Sequence, residues 1–231
     1  SKGDDKLVWY ENQMGEGGAD SDGFGPAQVI FSSKGNVESV SAGEIDSDDK
    51  ADIVVGADDG VFWLSSEIGE SEDDFSTATK VNTTSITTPI QVRVVDLSGD
   101  GSPDVVYAHS GPGEVVYHEN MGGGFGTETI ITDQVGTTRS ITTASVDGDS
   151  DPDVITASAG KVAWYENTSG SFGSQRVIAS QGAEAVGAGD RDGDGDAEVF
   201  AAVSGNFGAS DRVVWYESQV GEAGADSDGF G

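Results

Sequence analysis

An all-β chain of four-stranded antiparallel blades, set around an axis as a β-propeller, is the fold this sequence predicts, and three observations predict it. An acidic nine-residue loop recurs four times, at 44–52, 96–104, 145–153 and 190–198. An aromatic strand recurs between the loops: LVWYEN (7–12), VFWLSS (61–66), VVYHEN (115–120), VAWYEN (162–167) and VVWYES (213–218). A phenylalanine follows each, at Phe24, Phe75, Phe125, Phe172 and Phe230, with glycine after all but Phe75. No stretch carries a sustained apolar period of about 3.6 residues, so almost no helix is expected.

The elements follow in constant order: an apolar alternating stretch, the acidic loop, an apolar strand, the aromatic strand, a Gly-rich turn, the Phe and a last short β stretch. In the second full unit the four strands are expected at about 90–95, 104–108, 114–119 and 127–131, where Val, Ile, Thr and aromatic residues alternate between gaps of Gly, Asp, Asn and Ser. The ninth loop position falls at Asp52, Asp104, Asp153 and Glu198, spacings of 52, 49 and 45 residues. Four short strands at that period are the mark of propeller blades, because a lone blade cannot bury both faces and stacked blades can.

The blade boundaries read as 7–31 (the last two strands of one blade), 37–82, 90–131 and 139–179 (three complete blades), and 183–216 (the first three strands of another). An acidic Gly-rich tail follows at 217–231. This is four to five blades' worth of sequence in one propeller region. A ring would close if the C-terminal strands joined the N-terminal ones in a composite blade, with one aromatic strand left over. Residues 7–25 and 213–231 agree at 15 of 19 positions, and Phe24 to Phe230 is 206 residues. The chain opens in mid-pattern and carries a four-blade super-period, so it reads as a window on a longer tandem array.

Charge narrows the function. Asp and Glu number 42 against 11 Lys and Arg, a formal net charge of −31. Such a surface excludes nucleic acid, whose phosphates need clustered basic residues, and anionic membranes. No apolar run spans a bilayer, so no membrane insertion is expected. Without cysteine there are no disulfides to argue from.

Seventeen of the acids lie inside the four loops. Oxygen-bearing side chains stand at loop positions one, three, five and nine, and alternate residues of a tight loop point to a common centre. Carboxylates so gathered repel one another unless a hard divalent cation sits among them, and calcium accepts about six to eight oxygens in flexible geometry. Up to four calcium ions are expected, which would bring the charge from −31 to −23. In the fourth loop Asp190, Asp192, Asp194 and Glu198 fill these positions, with the carbonyl of Asp196 at position seven. The second offers Asp96, Ser98, Asp100 and Asp104, with Ser102 at seven. The third has Ser145, Asp147, Asp149 and Asp153, with Asp151 at seven. The first has Glu44, Asp46, Asp48 and Asp52, but Asp49 replaces the turn glycine and Lys50 sits at seven. Ligand charge and loop rigidity rank them fourth, second, third, first.

With the loops DLSGDGSPDVV (96–106) and GDRDGDGDAEVF (189–200), the WYEN strands and the Phe-Gly pairs at 24–25, 125–126, 172–173 and 230–231, the chain resembles the FG-GAP and VCBS repeat family. Its blades form the integrin α-subunit propeller and occur in many large extracellular proteins. The resemblance covers nearly the whole chain. It implies that the loop, similar to DxDxDGxxD, binds calcium on the outer side of each blade between its first and second strands.

Other residues carry less. Trp9, Trp63, Tyr117, Trp164 and Trp215 recur at one strand position and read as core between blades rather than a sugar platform. His109 and His118 lack zinc spacing. There is no cysteine nucleophile, GxSxG elbow or phosphate-binding glycine loop, so no catalytic residue and no enzyme activity is expected. Sequons at Asn82 and Asn167 are candidate glycosylation sites. The acidic insertions at 16–23 and 222–229 read as surface loops. The function expected is an extracellular or cell-surface, calcium-stabilised structural or adhesive module, a repeat unit whose partners are neighbouring units or identical chains. The alternative is a stand-alone propeller that binds carbohydrate or a surface protein; a polysaccharide-active enzyme ranks below both.

Overall fold

The computed structural model describes residues 6–14, 23–33, 35–66, 75–81, 89–109, 111, 113–122, 124–204, 211–220 and 230. These contain strands and no helix. Blade one holds β1 (Lys6–Trp9) and β2 (Gln28–Ser32). Blade two is an antiparallel meander of β3 (Val37–Gly43), β4 (Asp52–Ala57), β5 (Gly60–Leu64) and β6 (Thr79–Lys80). Blade three repeats it with β7 (Pro89–Val95), β8 (Asp104–His109), β9 (Val115–His118) and β10 (Thr129–Thr132). Blade four has β11 (Thr138–Ala144), β12 (Asp153–Ser158) and β13 (Val162–Tyr165), then a short hairpin of β14 (Asn167–Thr168) and β15 (Ser171–Phe172), and β16 (Arg176–Ala179) as its outer strand. Blade five holds β17 (Ala185–Gly189), β18 (Glu198–Val203) and β19 (Arg212–Tyr216).

The first strands line up side by side, β3 on β7, β7 on β11 and β11 on β17. A register shift near the start of β3, β7 and β11 accompanies a side chain that accepts a backbone N–H from the next blade. Val92 N donates to Ser39 Oγ (3.0 Å), Ile141 N to Gln91 Oε1 (2.6 Å) and Val186 N to Ser140 Oγ (3.3 Å). Inner-strand amides that would otherwise lack partners are thereby satisfied between blades.

Apolar alternation then fills the space between sheets. Along the aromatic strand one residue faces the following blade and the next faces the preceding one. Trp164 packs with Val186, Val199 and Phe230 towards blade five, whereas Tyr165 packs with Leu97 and Val106 towards blade three. The recurring phenylalanine completes each interface as an edge-to-face pair: Trp9–Phe75, Trp63–Phe125, Tyr117–Phe172 and Trp164–Phe230, with ring centroids 5.8, 6.0, 5.8 and 6.2 Å apart. Such a pair contributes about 0.5–1.5 kcal/mol beyond the area it buries. The aromatics of blades two to four are therefore core. Trp215 departs from the expectation: it is 47% exposed, because no described element packs in front of blade five, and the Arg191 guanidinium lies 4.4 Å from its ring centroid.

His118 is also structural. Its Nε2 lies 3.1 Å from Tyr107 Oη and its Nδ1 3.0 Å from the Gly126 carbonyl, and Tyr107 Oη donates to Glu128. Asn82 and residues 16–22 and 222–229 lie outside the described residues.

Candidate metal centre

Each acidic loop joins the first and second strands of its blade, and one backbone path builds all four. Positions four and six are left-handed in every loop: Ser47 and Asp49, Gly99 and Gly101, Gly148 and Ser150, Gly193 and Gly195, with φ between 65° and 104°. Glycine adopts this region without steric cost, and other residues are strained in it. Loops two and four place glycine at both positions, loop three at one and loop one at neither. The double reversal aims the side chains of positions one, three and five inward, while their oxygens accept loop amides. Asp190 accepts from Gly193 N (2.6 Å) and Gly195 N (3.2 Å), and Asp96 from Gly99 N and Gly101 N (both 2.8 Å).

Position nine works differently. Asp52, Asp104, Asp153 and Glu198 are fully buried at the start of the second strand. One oxygen of each accepts the amide of loop position two: Ile45, Leu97, Val146 and Arg191, at 2.7–3.0 Å. In the three aspartates the other oxygen accepts the amide of the residue that ends the aromatic motif: Ser66, Asn120 and Asn167, at 2.7–2.8 Å. The ninth residue is thus a clamp that ties loop, second strand and third strand together.

That terminal residue also reaches backwards. Asn120 Nδ2 donates to the Ile45 carbonyl (2.7 Å), Asn167 Nδ2 to the Leu97 carbonyl (2.9 Å) and Ser218 Oγ to the Val146 carbonyl (2.6 Å), each in the preceding blade's loop. The sequon at Asn167 is corrected by this. Its side chain is fully buried and its amide also donates to the Pro152 carbonyl at 3.1 Å, so it offers no accessible nitrogen to a glycan. Sequence reasoning missed the staple, although Asn12, Asn120 and Asn167 with Ser66 and Ser218 recur at one position and were visible as a pattern.

Among the described residues, three acidic trios bring one oxygen each within 4.8 Å of one another: Asp190, Asp192 and Asp194; Asp194, Asp196 and Glu198; and Glu44, Asp46 and Asp48. None lies in loops two or three, where Ser98 and Ser145 stand in for acids and Asp104 and Asp153 turn to the backbone. Asp151 donates no carboxylate inward either, because its Oδ2 accepts from Ser169 N at 2.8 Å. The buried carboxylate oxygens without a hydrogen-bond partner divide the same way: Glu44 Oε2 and Asp46 Oδ1 in loop one, Asp196 Oδ1 and Glu198 Oε1 in loop four. Orphaned buried carboxylate oxygens fit a hard cation, which would supply the missing charge and coordination. Loop one also carries its own counter-charge, with Lys50 Nζ 3.3 Å from Asp48. The structure therefore groups the first loop with the fourth, where composition ranked it last.

Electrostatics agree with crowding. Burial pushes the Asp153 carboxyl up to about 7 against its two amide bonds, and burial followed by the neighbouring Asp194 raises Asp196 to about 6. Burial likewise raises Asp52, Asp104 and Asp147. A desolvated carboxyl prefers its proton unless a cation takes the proton's place.

Residues 96–156 and 145–201, the second to fourth loops and the strands around them, match the model of the FG-GAP-like repeat. The two matches run from the end of β7 into β18 and are what this part of the chain is similar to. No match is found among the curated proteins. Among solved structures the chain is similar to an Agrocybe aegerita lectin described as specifically recognising non-reducing terminal N-acetylglucosamine, at 18% identity and a TM-score of 0.57, over 84% of this chain and 58% of the lectin. It spans little more than half that lectin's length, and at this identity the likeness is one of fold. Weaker likenesses are to a Photorhabdus luminescens Tc holotoxin pore (16% identity, TM-score 0.49, 93% of this chain and 11% of the other) and to the V. cholerae biofilm matrix protein Bap1 (21%, 0.45, 73% and 29%).

Proposed function

We propose that this FG-GAP-like propeller is a non-enzymatic, calcium-stabilised structural or adhesive module that works outside the cell, as a repeat unit of a large surface protein or fibre. The observation that carries the reading is the coincidence, in loops one and four, of converging acid trios with buried carboxylate oxygens that have no partner. Asp190, Asp192, Asp194, Glu198 and the Asp196 carbonyl would hold calcium in loop four; Glu44, Asp46, Asp48 and the Lys50 carbonyl would hold it in loop one. The ion relieves repulsion between the carboxylates, and its binding free energy becomes folding free energy. Millimolar calcium outside cells keeps such loops filled. Loops two and three hold their shape through backbone amides and glycine, and they bind more weakly.

The test is calorimetric titration with calcium alongside thermal unfolding in calcium and in chelator. Binding of about two equivalents, abolished in loop four by Asp190→Asn with Asp194→Asn, together with a melting point that falls on chelation, is the expected result. A protein that takes up no calcium, and melts identically in chelator, overturns the reading. The fold likeness to a lectin supports carbohydrate binding as a second reading. Against it, the strand aromatics of blades two to four are already engaged in edge-to-face pairs. A glycan array probed with the wild-type chain decides it.

A further inference from the structure

The ninth loop residue is aspartate in three loops and glutamate in the fourth, and the extra methylene changes what the side chain does. Asp52, Asp104 and Asp153 give one oxygen to the amide of loop position two and the other to the amide of Ser66, Asn120 or Asn167. Glu198 keeps the first of these bonds, from Arg191 N to its Oε2 at 2.7 Å. Its Oε1 has no hydrogen-bond partner, in a residue that is 0% exposed. The longer arm turns to the acids of its own loop instead, offering an oxygen within 4.8 Å of those of Asp194 and Asp196.

Asp196 shares the defect, because its Oδ1 is also buried and without a partner. A carboxylate oxygen cut off from water and from donors carries a large desolvation cost, and three carboxylates so close repel one another. Among the described residues no basic side chain relieves these three. The Arg191 guanidinium turns to Asp192 instead, 3.5 Å away. The Ser218 hydroxyl lies beside the Asp196 carboxyl but gives its one proton to the Val146 carbonyl at 2.6 Å, so it offers lone pairs on the other side.

The acids of loop four thus fall into two groups. Asp190, Asp192 and Asp194 form an exposed outer one, and Asp194, Asp196 and Glu198 an inner one that ends on a fully buried side chain. Oxygens about 2.3–2.6 Å from one calcium lie within about 5 Å of one another, which each group satisfies by itself. No trio within that reach contains both Asp190 and Glu198, so the two ends of the loop do not converge on one point. Charge points the same way. The five carboxylates keep a formal −3 against one divalent ion and −1 against two.

We propose, on the calcium reading above, that loop four holds two divalent cations: an outer one on Asp190, Asp192 and Asp194, and an inner one on the side chains of Asp194, Asp196 and Glu198 with the Ser218 hydroxyl. Asp194 bridges the pair, and ions that share a carboxylate sit about 3.5–4 Å apart. The inner ion lies at the seam between blades four and five. Ala197 N donates to the Ser145 carbonyl at 2.9 Å, a Cβ on Gly148 would meet Asp196 Cβ at 3.7 Å, and Ser218 is stapled to Val146. Ser145, Val146 and Gly148 all belong to loop three. Filling the inner site therefore fastens blade five to blade four, whereas the outer ion is held within one exposed turn.

The test counts the calcium ions that the full chain retains at saturating free calcium, by equilibrium dialysis and metal analysis. Asp196→Asn alters a carboxyl that the outer ion does not use, since that ion takes the Asp196 carbonyl. This variant is expected to hold one ion fewer than wild type, and Asp190→Asn with Asp194→Asn two fewer. Glu198→Asp shortens the arm to the length of the other three clamps, which fold with aspartate there, and is expected to lose the same single ion as Asp196→Asn. Melting separates coordination from packing. In calcium Asp196→Asn is expected to melt below wild type, and in chelator at or above it, because a buried repulsion is gone. A double variant that loses only one ion, or an Asp196→Asn chain that loses none, overturns the second cation and leaves the calcium reading standing. Asp196→Asn melting equally far below wild type in chelator and in calcium makes the residue a packing element and also overturns it. A wild-type chain that binds no calcium overturns both.

Discussion

Replacing Asn167 with alanine removes three hydrogen bonds of a fully buried side chain, one of which crosses from blade four to blade three. Nδ2 donates to the carbonyls of Leu97 (2.9 Å) and Pro152 (3.1 Å), and Oδ1 accepts from Gly170 N (2.9 Å). The backbone bond from Asn167 N to Asp153 survives the change. Each lost bond costs about 1 kcal/mol net, and the Leu97 carbonyl lies at a buried residue, so the sum is about 3 kcal/mol. For a chain of this size that corresponds to a fall in melting temperature of roughly 6–12 °C. Asn167→Ser should cost about half as much, because Ser218 shows that a hydroxyl at this position reaches the equivalent carbonyl of Val146. The assay is urea and thermal unfolding in saturating calcium, followed by tryptophan fluorescence, since Trp164 is fully buried in the same blade. A loss below about 1 kcal/mol for alanine, or serine as damaging as alanine, would refute the staple.

Three further expectations follow from the loops. Ser47→Gly and Asp49→Gly relieve left-handed backbone in loop one and should each stabilise the protein by about 1 kcal/mol, checked by urea unfolding; Gly99→Ala in loop two should do the reverse. Asp151→Ala should leave calcium affinity within about twofold because its carboxylate serves Ser169, while Asp190→Ala should lower it by more than tenfold in the same calorimetric titration. The third concerns pH. Asp153 and Asp196 are raised to about 7 and about 6 by burial, above the ordinary carboxylate value they regain on unfolding. Between about pH 4 and 7 the native state then binds more protons than the unfolded chain, so metal-free stability falls as pH rises through that window. Calcium in loop four competes with the proton at Asp196 and should offset that part of the slope. Melting curves at pH 5 and 7.5, in chelator and in calcium, test the sign; a chelated protein more stable at pH 7.5 would contradict it.

The strand pattern was legible because it is local. The strand expected at 104–108 is β8 at Asp104–His109, and those expected at 114–119 and 127–131 are β9 at Val115–His118 and β10 at Thr129–Thr132. Alternation and turn residues report on the backbone a few positions away, and four copies of one loop make the signal strong. The glycines of the loops were legible for the same reason, since a left-handed backbone leaves its mark on the residue that adopts it.

What each acid does was decided by the fold. Positions one and nine of a loop read as equal ligands in sequence, yet Asp104 and Asp153 lie inside the blade with both oxygens on backbone amides, while Asp190 and Asp194 remain at the surface. Loop one, weak by composition, gathers Glu44, Asp46 and Asp48, and the stronger-looking loop two gathers no trio. Asn167 looked like a glycan acceptor and is a staple between blades. The clamp on the third strand and the staple on the preceding blade depend on partners 14 to 70 residues away along the chain, where no local pattern can report them. By itself the sequence determined the repeat, the strands and the chemistry available at each loop. Only the packing of one blade on the next decided which oxygens lack partners and which aromatics are core.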